Sequence, residues 1–336
     1  MRTYIVFDLE WNQSPEGKAN SIRRMPFEII EIGAVKMDSD FQIISRFHRL
    51  ITPQVYTELH YVISEVTHMD IEKLKSEGAP FAEVIRDFIQ WCGTDYWFCT
   101  WGAMDLMELQ RNMEFYGVEI PFERPLYYYD VQKLYGIAEK DGKEKVSLDH
   151  AVEELGIEQS RPFHQALDDA WYTGLVLKHM NFDIWQPYIS MDYYWVPTAK
   201  EEQVTLRFPT YFKFVSRTFD TKEDALADKD VSHVVCPLCR RMLRKKLRWF
   251  SLNQKQYFSL GVCPVHGYVR GKIRMKKAEN GKFYVVKTMK ATDEAGARGV
   301  FLKKEEQRKK RHERSDLKKV KRMLTPPATG IRRQSP

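Results

Sequence analysis

Residues 4–7 form an apolar run that meets charge at Asp8 and Glu10, the pattern of a buried strand. A polar stretch follows from Asn12 to Met25, with Pro15, Gly17 and Arg23-Arg24, and reads as a long loop. Residues 27–37 and 41–51 make two more predicted strands, and the short gap Asp38-Ser39-Asp40 suits only an antiparallel hairpin. The period then changes. Phe81, Val84, Ile85, Phe88 and Ile89 recur at helical spacing, 96–100 is a short aromatic strand, Leu106, Leu109, Met113 and Phe115 mark a helix, and 126–131 is a fifth strand. Ser147 is placed to cap a helix ending at Leu155 before Gly156, and 166–180 is the last helix. A hairpin succession followed by helix–strand alternation predicts an α/β domain with a mixed sheet over residues 1–185.

Residues 186–204, with two prolines and Tyr193-Tyr194-Trp195, read as a connector. Short β-like runs return at 210–215, 231–235, 257–262, 268–275 and 283–288, the last two joined by the turn Glu279-Asn280-Gly281. These predict a small β-rich module over 205–295. Residues 296–336 are Lys/Arg-rich and then carry Pro326-Pro327 and Gly330, predicting a basic helix and a disordered tail.

Charge sharpens this division. The net charge of +7 conceals 29 Lys+Arg against 7 Asp+Glu in residues 231–336, and 24 against 39 in residues 1–230. A front of −15 and a back of +22 imply separate tasks and an anionic partner for the back. With 43% hydrophobic and 29% charged residues the chain is neither fibrous nor wholly disordered. No apolar run approaches the roughly 18 residues of a membrane span. The start Met1-Arg2-Thr3-Tyr4 lacks the apolar core of a secretion signal, so a cytoplasmic location is expected. Five cysteines, an odd number, argue against a disulfide framework.

Asp8 and Glu10, two apart on a strand, present their side chains on one face. Asp105 opens a helix and Asp169 lies in the first turns of another, five residues after His164. Singly, each has an ordinary explanation as a strand-end acid, a first-turn acid or a loop histidine. Together, Asp8-Leu9-Glu10, Trp101-Gly102-Ala103-Met104-Asp105-Leu106 and His164-Gln165-Ala166-Leu167-Asp168-Asp169-Ala170 resemble the three motifs of the DEDDh branch of the DnaQ-like 3′–5′ exonucleases, RNase T among them. The third, His-x-Ala-x-x-Asp-Ala, is matched in full. The resemblance covers roughly residues 3–180, and the long loop before Pro26-Phe27-Glu28 is similar to the histone-mRNA/RNA-interference 3′-end exonucleases.

The resemblance implies an RNase H-like fold, a five-stranded mixed sheet with flanking helices. It implies two Mg²⁺ or Mn²⁺ ions held by Asp8, Glu10, Asp105 and Asp169, hard cations suited to oxygen ligands. Asp8 would bridge both ions, and His164 would be the general base that takes a proton from the attacking water. Asp168 would be structural, the ligand position being the one just before Ala170. The main chain at Leu9, the ring of Trp11, and His68-Met69 sit where the family contacts the terminal nucleotide, although Trp11 equally suits packing at a cleft edge.

In the back half, Cys236-Pro237-Leu238-Cys239 and Cys263-Pro264-Val265-His266 form two pairs at two-residue spacing, suiting one tetrahedral structural Zn²⁺ in a ribbon or knuckle. Between them, 240–250 interleaves Arg240, Arg241, Arg244, Lys245, Lys246 and Arg248 with Trp249 and Phe250, a composition suited to gripping a nucleic-acid backbone and stacking on bases. The expected activity is metal-dependent hydrolysis of single-stranded nucleic acid from its 3′ end to nucleoside 5′-monophosphates, with RNA favoured slightly over DNA and no membrane partner. Two alternatives stay open: a non-catalytic nucleic-acid-binding adaptor on this fold, and an exonuclease of short oligonucleotides whose basic module binds another partner.

Overall fold

The computed structural model describes residues 2–324 other than 68, 141, 143, 144 and 254, and it divides into two compact units, Met1–Trp195 and Val196–Pro336. The first contains β1 (Thr3–Asn12), β2 (Glu28–Met37), β3 (Ile43–Leu50), α1 (Tyr61–Thr67), α2 (Ile71–Glu77), α3 (Phe81–Cys92), β4 (Tyr96–Thr100), α4 (Met104–Phe115), β5 (Tyr127–Asp130), α5 (Val131–Ala138), α6 (Leu148–Glu154), α7 (Ala166–His179), α8 (Phe182–Trp185) and β6 (Ser190–Met191). The sheet order is β3-β2-β1-β4-β5-β6. β1, β2 and β3 pair antiparallel, while β1, β4 and β5 run parallel. This is the RNase H-like arrangement the motifs implied, with a sixth, two-residue strand, β6, added antiparallel to β5. β6 falls inside the stretch read from sequence as a connector.

Strand periodicity explains where the chemistry lies. On β1, Ile5, Phe7 and Leu9 enter a core with Val84, Ile85 and Phe88 of α3 and Leu106 and Leu109 of α4. Tyr4 and Val6 point to the opposite face and pack with Tyr172, Val176 and Leu177 of α7. Asp8 and Glu10 continue that second face, since alternate strand residues share a side. Three small residues of α7 (Ala166, Ala170 and Gly174) recur every four positions, which lets this helix lie close to β2. The closest approach is at Gly33, where an added Cβ would stand 1.9 Å from the Leu167 nitrogen and 2.0 Å from the Ala166 carbonyl carbon.

The second unit holds β7 (Val204–Arg207), β8 (Tyr211–Val215), α9 (Lys222–Ala227), α10 (Lys229–Ser232), β9 (Arg244–Asn253), β10 (Gln256–Cys263), β11 (Gly267–Lys277), β12 (Phe283–Ala291) and α11 (Glu294–Leu324). Its strands form one antiparallel sheet, ordered β7-β8-β12-β11-β10-β9. Gly281, at φ 84°, closes the turn between β11 and β12. One face packs Val231, Val234 and Leu243 against Ile273, Val285 and Met289. The other packs Phe250, Phe258 and Leu260 against Ala297 and Val300 of α11.

Two sequence expectations are corrected. Residues 231–235 are not a strand: Asp228 caps α10 by accepting from the Asp230 and Val231 N–H groups. The carbonyls of Ser232 and His233 accept from Trp249 Nε1 and Lys287 Nζ, so capping takes Val231 into α10, while Val234 and Val235 keep a short β-like pairing with Leu243 and Met242. The aromatics of 240–250 do not offer bare rings. Phe250 is buried, and Trp249 is tied to Ser232 with its ring over Gly271. A break in the β9–β10 register between Leu247 and Phe250 turns Phe250 inward, whereas Arg244, Lys246 and Arg248 are exposed. The expected disordered end, 325–336, lies outside the described residues. No helix among the described residues is long and apolar enough to cross a membrane.

Candidate active site and metal centres

Asp8 and Glu10 lie toward the carboxyl end of β1, Asp105 is the second residue of α4 after β4, and Asp169 is in the first turn of α7. Carboxylate oxygens of Asp8, Glu10 and Asp169 all lie within 4.8 Å of one another. Asp105 joins them electrostatically, being the acid that acts most strongly on Asp8, and its carboxylate accepts the N–H of Leu9. Thus the main chain of Leu9 orients an acid, while its side chain is buried in the core.

Asp169 Oδ2 accepts the His164 N–H at 3.2 Å. His164 takes a left-handed backbone (φ 66°), uncommon for a residue with a side chain and often found at functional sites. The other oxygen of Asp169, Oδ1, is buried without a hydrogen-bond partner among the described residues. Asp168 turns away and pairs with Arg161 at 2.6 Å. Trp11 follows a break in the β1–β2 register, and its ring leans on Phe27 at 5.7 Å. Met69 is half-buried, its N–H donating to Thr67 Oγ1, and His68 lies outside the described residues.

Four acids so close resist ionisation. Burial first, then mutual repulsion, pushes Asp8 well above the usual carboxylate range and Glu10 up to about 8. Burial likewise raises Asp105 and Asp169 to about 7, against the lowering effect of the N–H groups they accept. A buried, partnerless carboxylate oxygen beside two other acids fits a hard divalent cation such as Mg²⁺ or Mn²⁺. The pH dependence follows. Ordinary carboxyls titrate near 4, so between roughly pH 4 and 8 the folded chain binds more protons than the unfolded one, and stability falls as pH rises. The midpoint of thermal unfolding in chelator is therefore expected to drop from pH 5 to pH 8, and Mn²⁺ to raise it more at pH 8. An equal Mn²⁺ shift at both pH values contradicts this.

The second centre joins Cys236, Cys239, Cys263 and His266, whose ligand atoms also lie within 4.8 Å of one another. Cys236 Sγ is 3.5 Å and Cys263 Sγ 3.6 Å from His266 Nδ1, and Cys239 Sγ is 3.6 Å from Cys263 Sγ. Zinc bonds of about 2.0–2.3 Å in a tetrahedron require edges close to these. The two halves repeat each other. The N–H groups of Leu238 and Cys239 donate to Cys236 Sγ, as those of Val265 and His266 donate to Cys263 Sγ. Each pair ends in a left-handed residue, Arg240 (φ 61°) or Gly267 (φ 71°). Burial opposes the Cys263 thiolate, yet these N–H groups bring its thiol down to about 6. Metal analysis is expected to give one zinc per chain, falling below about a fifth of that in Cys236→Ser; undiminished zinc in that variant would remove Cys236 from the ligand set.

The family profile described as Exonuclease (RNase_T) matches residues 5–177, 173 of the 336 positions. The chain belongs to the exonuclease family. That membership makes it an exonuclease, a hydrolase. No curated protein sequence matches this exonuclease. Among solved structures it is similar to the nuclease domain of 3′hExo, a DEDDh family member bound to rAMP (19% identity, 56% of this chain and 96% of that one, TM-score 0.47). It is similar to E. coli exonuclease I in complex with a dA16 oligonucleotide (14%, 78% and 55%, TM-score 0.48). A third is S. pombe Pop2p in its Mg²⁺- and Mn²⁺-bound form (17%, 52% and 81%, TM-score 0.40).

Sequence reasoning passed over Glu31 and His48 near the acids. The available signal was a carboxylate within the apolar run 29–35.

Proposed function

We propose that this exonuclease degrades single-stranded nucleic acid from its 3′ end to nucleoside 5′-monophosphates, with RNA favoured slightly over DNA, by a two-metal mechanism. The observation that carries the reading is the trio Asp8, Glu10 and Asp169, with the Asp169 Oδ1 atom left for a cation. Asp8, Glu10, Asp105 and Asp169 would hold two Mg²⁺ or Mn²⁺, which when bound stabilise charge on the attacking and leaving oxygens. His164, anchored by its N–H to Asp169, takes the proton of the attacking water. Leu9, Trp11, His68 and Met69 are the proposed contacts to the terminal nucleotide. Zn²⁺ bound by Cys236, Cys239, Cys263 and His266 would be structural, and a cytoplasmic setting suits reduced thiols. The test is digestion of matched 3′- and 5′-labelled RNA and DNA strands with Mg²⁺ or Mn²⁺. Stepwise mononucleotide release from the 3′ end is expected, and metal-independent or internal cleavage would overturn the mechanism.

The second unit supplies the grip. Arg270, Lys272 and Arg274 share one face of β11, and no carboxylate pairs with them among the described residues. Lys272 and Lys303 both stand over the ring of Phe258, at 5.6 and 4.5 Å. Burial, then Arg274, Lys303 and Arg270, lowers the Lys272 ammonium. Cations held together without anions suit a phosphate backbone. Changing all three to Gln is expected to weaken binding of a long single strand in chelator. The slope of log affinity against log salt should lessen by about 2, near 0.7 per phosphate contact. An unchanged slope would place the grip elsewhere.

A further inference from the structure

A fifth carboxylate belongs to the same face as the proposed ligands. In the β1–β2 register Glu31 stands opposite Glu10 and Gly33 opposite Asp8, and in the β2–β3 register His48 stands opposite Gly33. Alternation puts Asp8, Glu10, Glu31, Gly33 and His48 on one side of the sheet, toward α7. Glu31 is 3% exposed. Its Oε1 meets His48 Nε2 at 2.6 Å, whereas its Oε2 is buried without a hydrogen-bond partner among the described residues. Glu31 acts electrostatically on Asp8, Glu10 and Asp169.

A fold does not gain from a buried carboxylate half of which is unsatisfied, placed beside three others. Hydrogen bonding to His48 accounts for one oxygen only. The second is buried without a partner among the described residues, Glu31 is the charge that acts most strongly on Glu10 and it acts on Asp169 as well, and a cation among them would turn repulsion into attraction. We infer that Glu31 is a fifth carboxylate of the metal centre, with His48 as the positioning residue that fixes its orientation. This rests on the proposed metal-dependent reading of the site. His48, its side chain nearly half exposed, ties the acid from the sheet's outer strand, as a partner beyond the ligands commonly orients them.

The test uses the full chain and Mn²⁺ alone. Glu31→Gln keeps the shape and the bond to His48 but removes the charge. At pH 8, calorimetric titration is expected to show Mn²⁺ affinity falling about tenfold or more. In chelator the same variant should unfold at a temperature no lower than wild type, because a charge repelled by Asp8, Glu10 and Asp169 has gone. His48→Ala is expected to weaken Mn²⁺ binding less than Glu31→Gln, with the loss largely restored by His48→Gln. Unchanged Mn²⁺ affinity in Glu31→Gln overturns the inference, and so does a lowered midpoint in chelator, the mark of a purely structural acid. If wild type itself does not bind Mn²⁺, the reading of the whole centre fails, an outcome separate from the failure of Glu31 alone.

Discussion

Asp8→Asn is expected to cut metal-dependent mononucleotide release by well over about a hundredfold. Partners that merely orient a metal ligand cost about 10–100-fold when changed, and Asp8 stands closer to the chemistry than that. It shares the 4.8 Å cluster with Glu10 and Asp169, and its charge interacts with that of Asp105, so the proposed mechanism would make it a ligand common to both ions. The same substitution should raise the unfolding midpoint in chelator, since burial and four neighbouring acids disfavour the Asp8 carboxylate. Lost activity with gained metal-free stability separates a ligand from a structural residue. Asp168→Asn is the informative contrast, because Asp168 pairs with Arg161 and should cost far less activity. Asp8→Asn retaining more than a tenth of the wild-type rate would remove Asp8 from the centre.

Gly33→Ala is expected to be nearly as damaging without touching a reacting group. The new methyl would stand 1.9 Å from one backbone atom of α7 and 2.0 Å from another, and backbone cannot swing aside as a side chain can. The first turn of α7 must retreat by more than about 1 Å, a displacement that costs on the order of 10²-fold when it misplaces catalytic groups. That turn carries Asp169, and His164 precedes it. Overpacking of this kind costs up to about 3 kcal/mol, so the unfolding midpoint of the first unit should fall by roughly 6–12 °C. Gly299→Ala, where nothing lies within 4 Å, should leave activity unchanged. Circular dichroism melts and the labelled-strand assay check both; a Gly33→Ala chain with wild-type activity would mean that the β2–α7 contact does not set the site.

What the sequence showed and what it hid divide along a physical line. Residue types at fixed spacing were legible: Asp8 with Glu10, the His164 motif, and the pairs Cys236/Cys239 and Cys263/His266. Strands with strong apolar runs, such as β2 and β4, were legible too. The short helices α1 and α2 passed unseen, since seven residues give too few apolar repeats to show a period. β9 was hidden by four cations in ten residues, whose aliphatic stems and strand alternation permit what composition disguised. The Glu31–His48 bond depends on cross-strand register, which spacing along the chain does not encode.

The last helix carries one more consequence. At about 1.5 Å per residue the 31 residues of α11 extend for roughly 46 Å. Burial stops early: Ala297, Val300 and Gln307 are covered, and from 308 to 317 every described side chain is exposed. Residues 308–324 hold nine Lys or Arg and two acids, so like charges crowd each turn. Over 308–317 the described side chains face solvent, so little burial offsets the repulsion among the cations. A phosphate chain laid along it would remove that repulsion and favour the helical form. The firmness of such a cationic helix would then depend on the ionic strength around it and on any polyanion it meets.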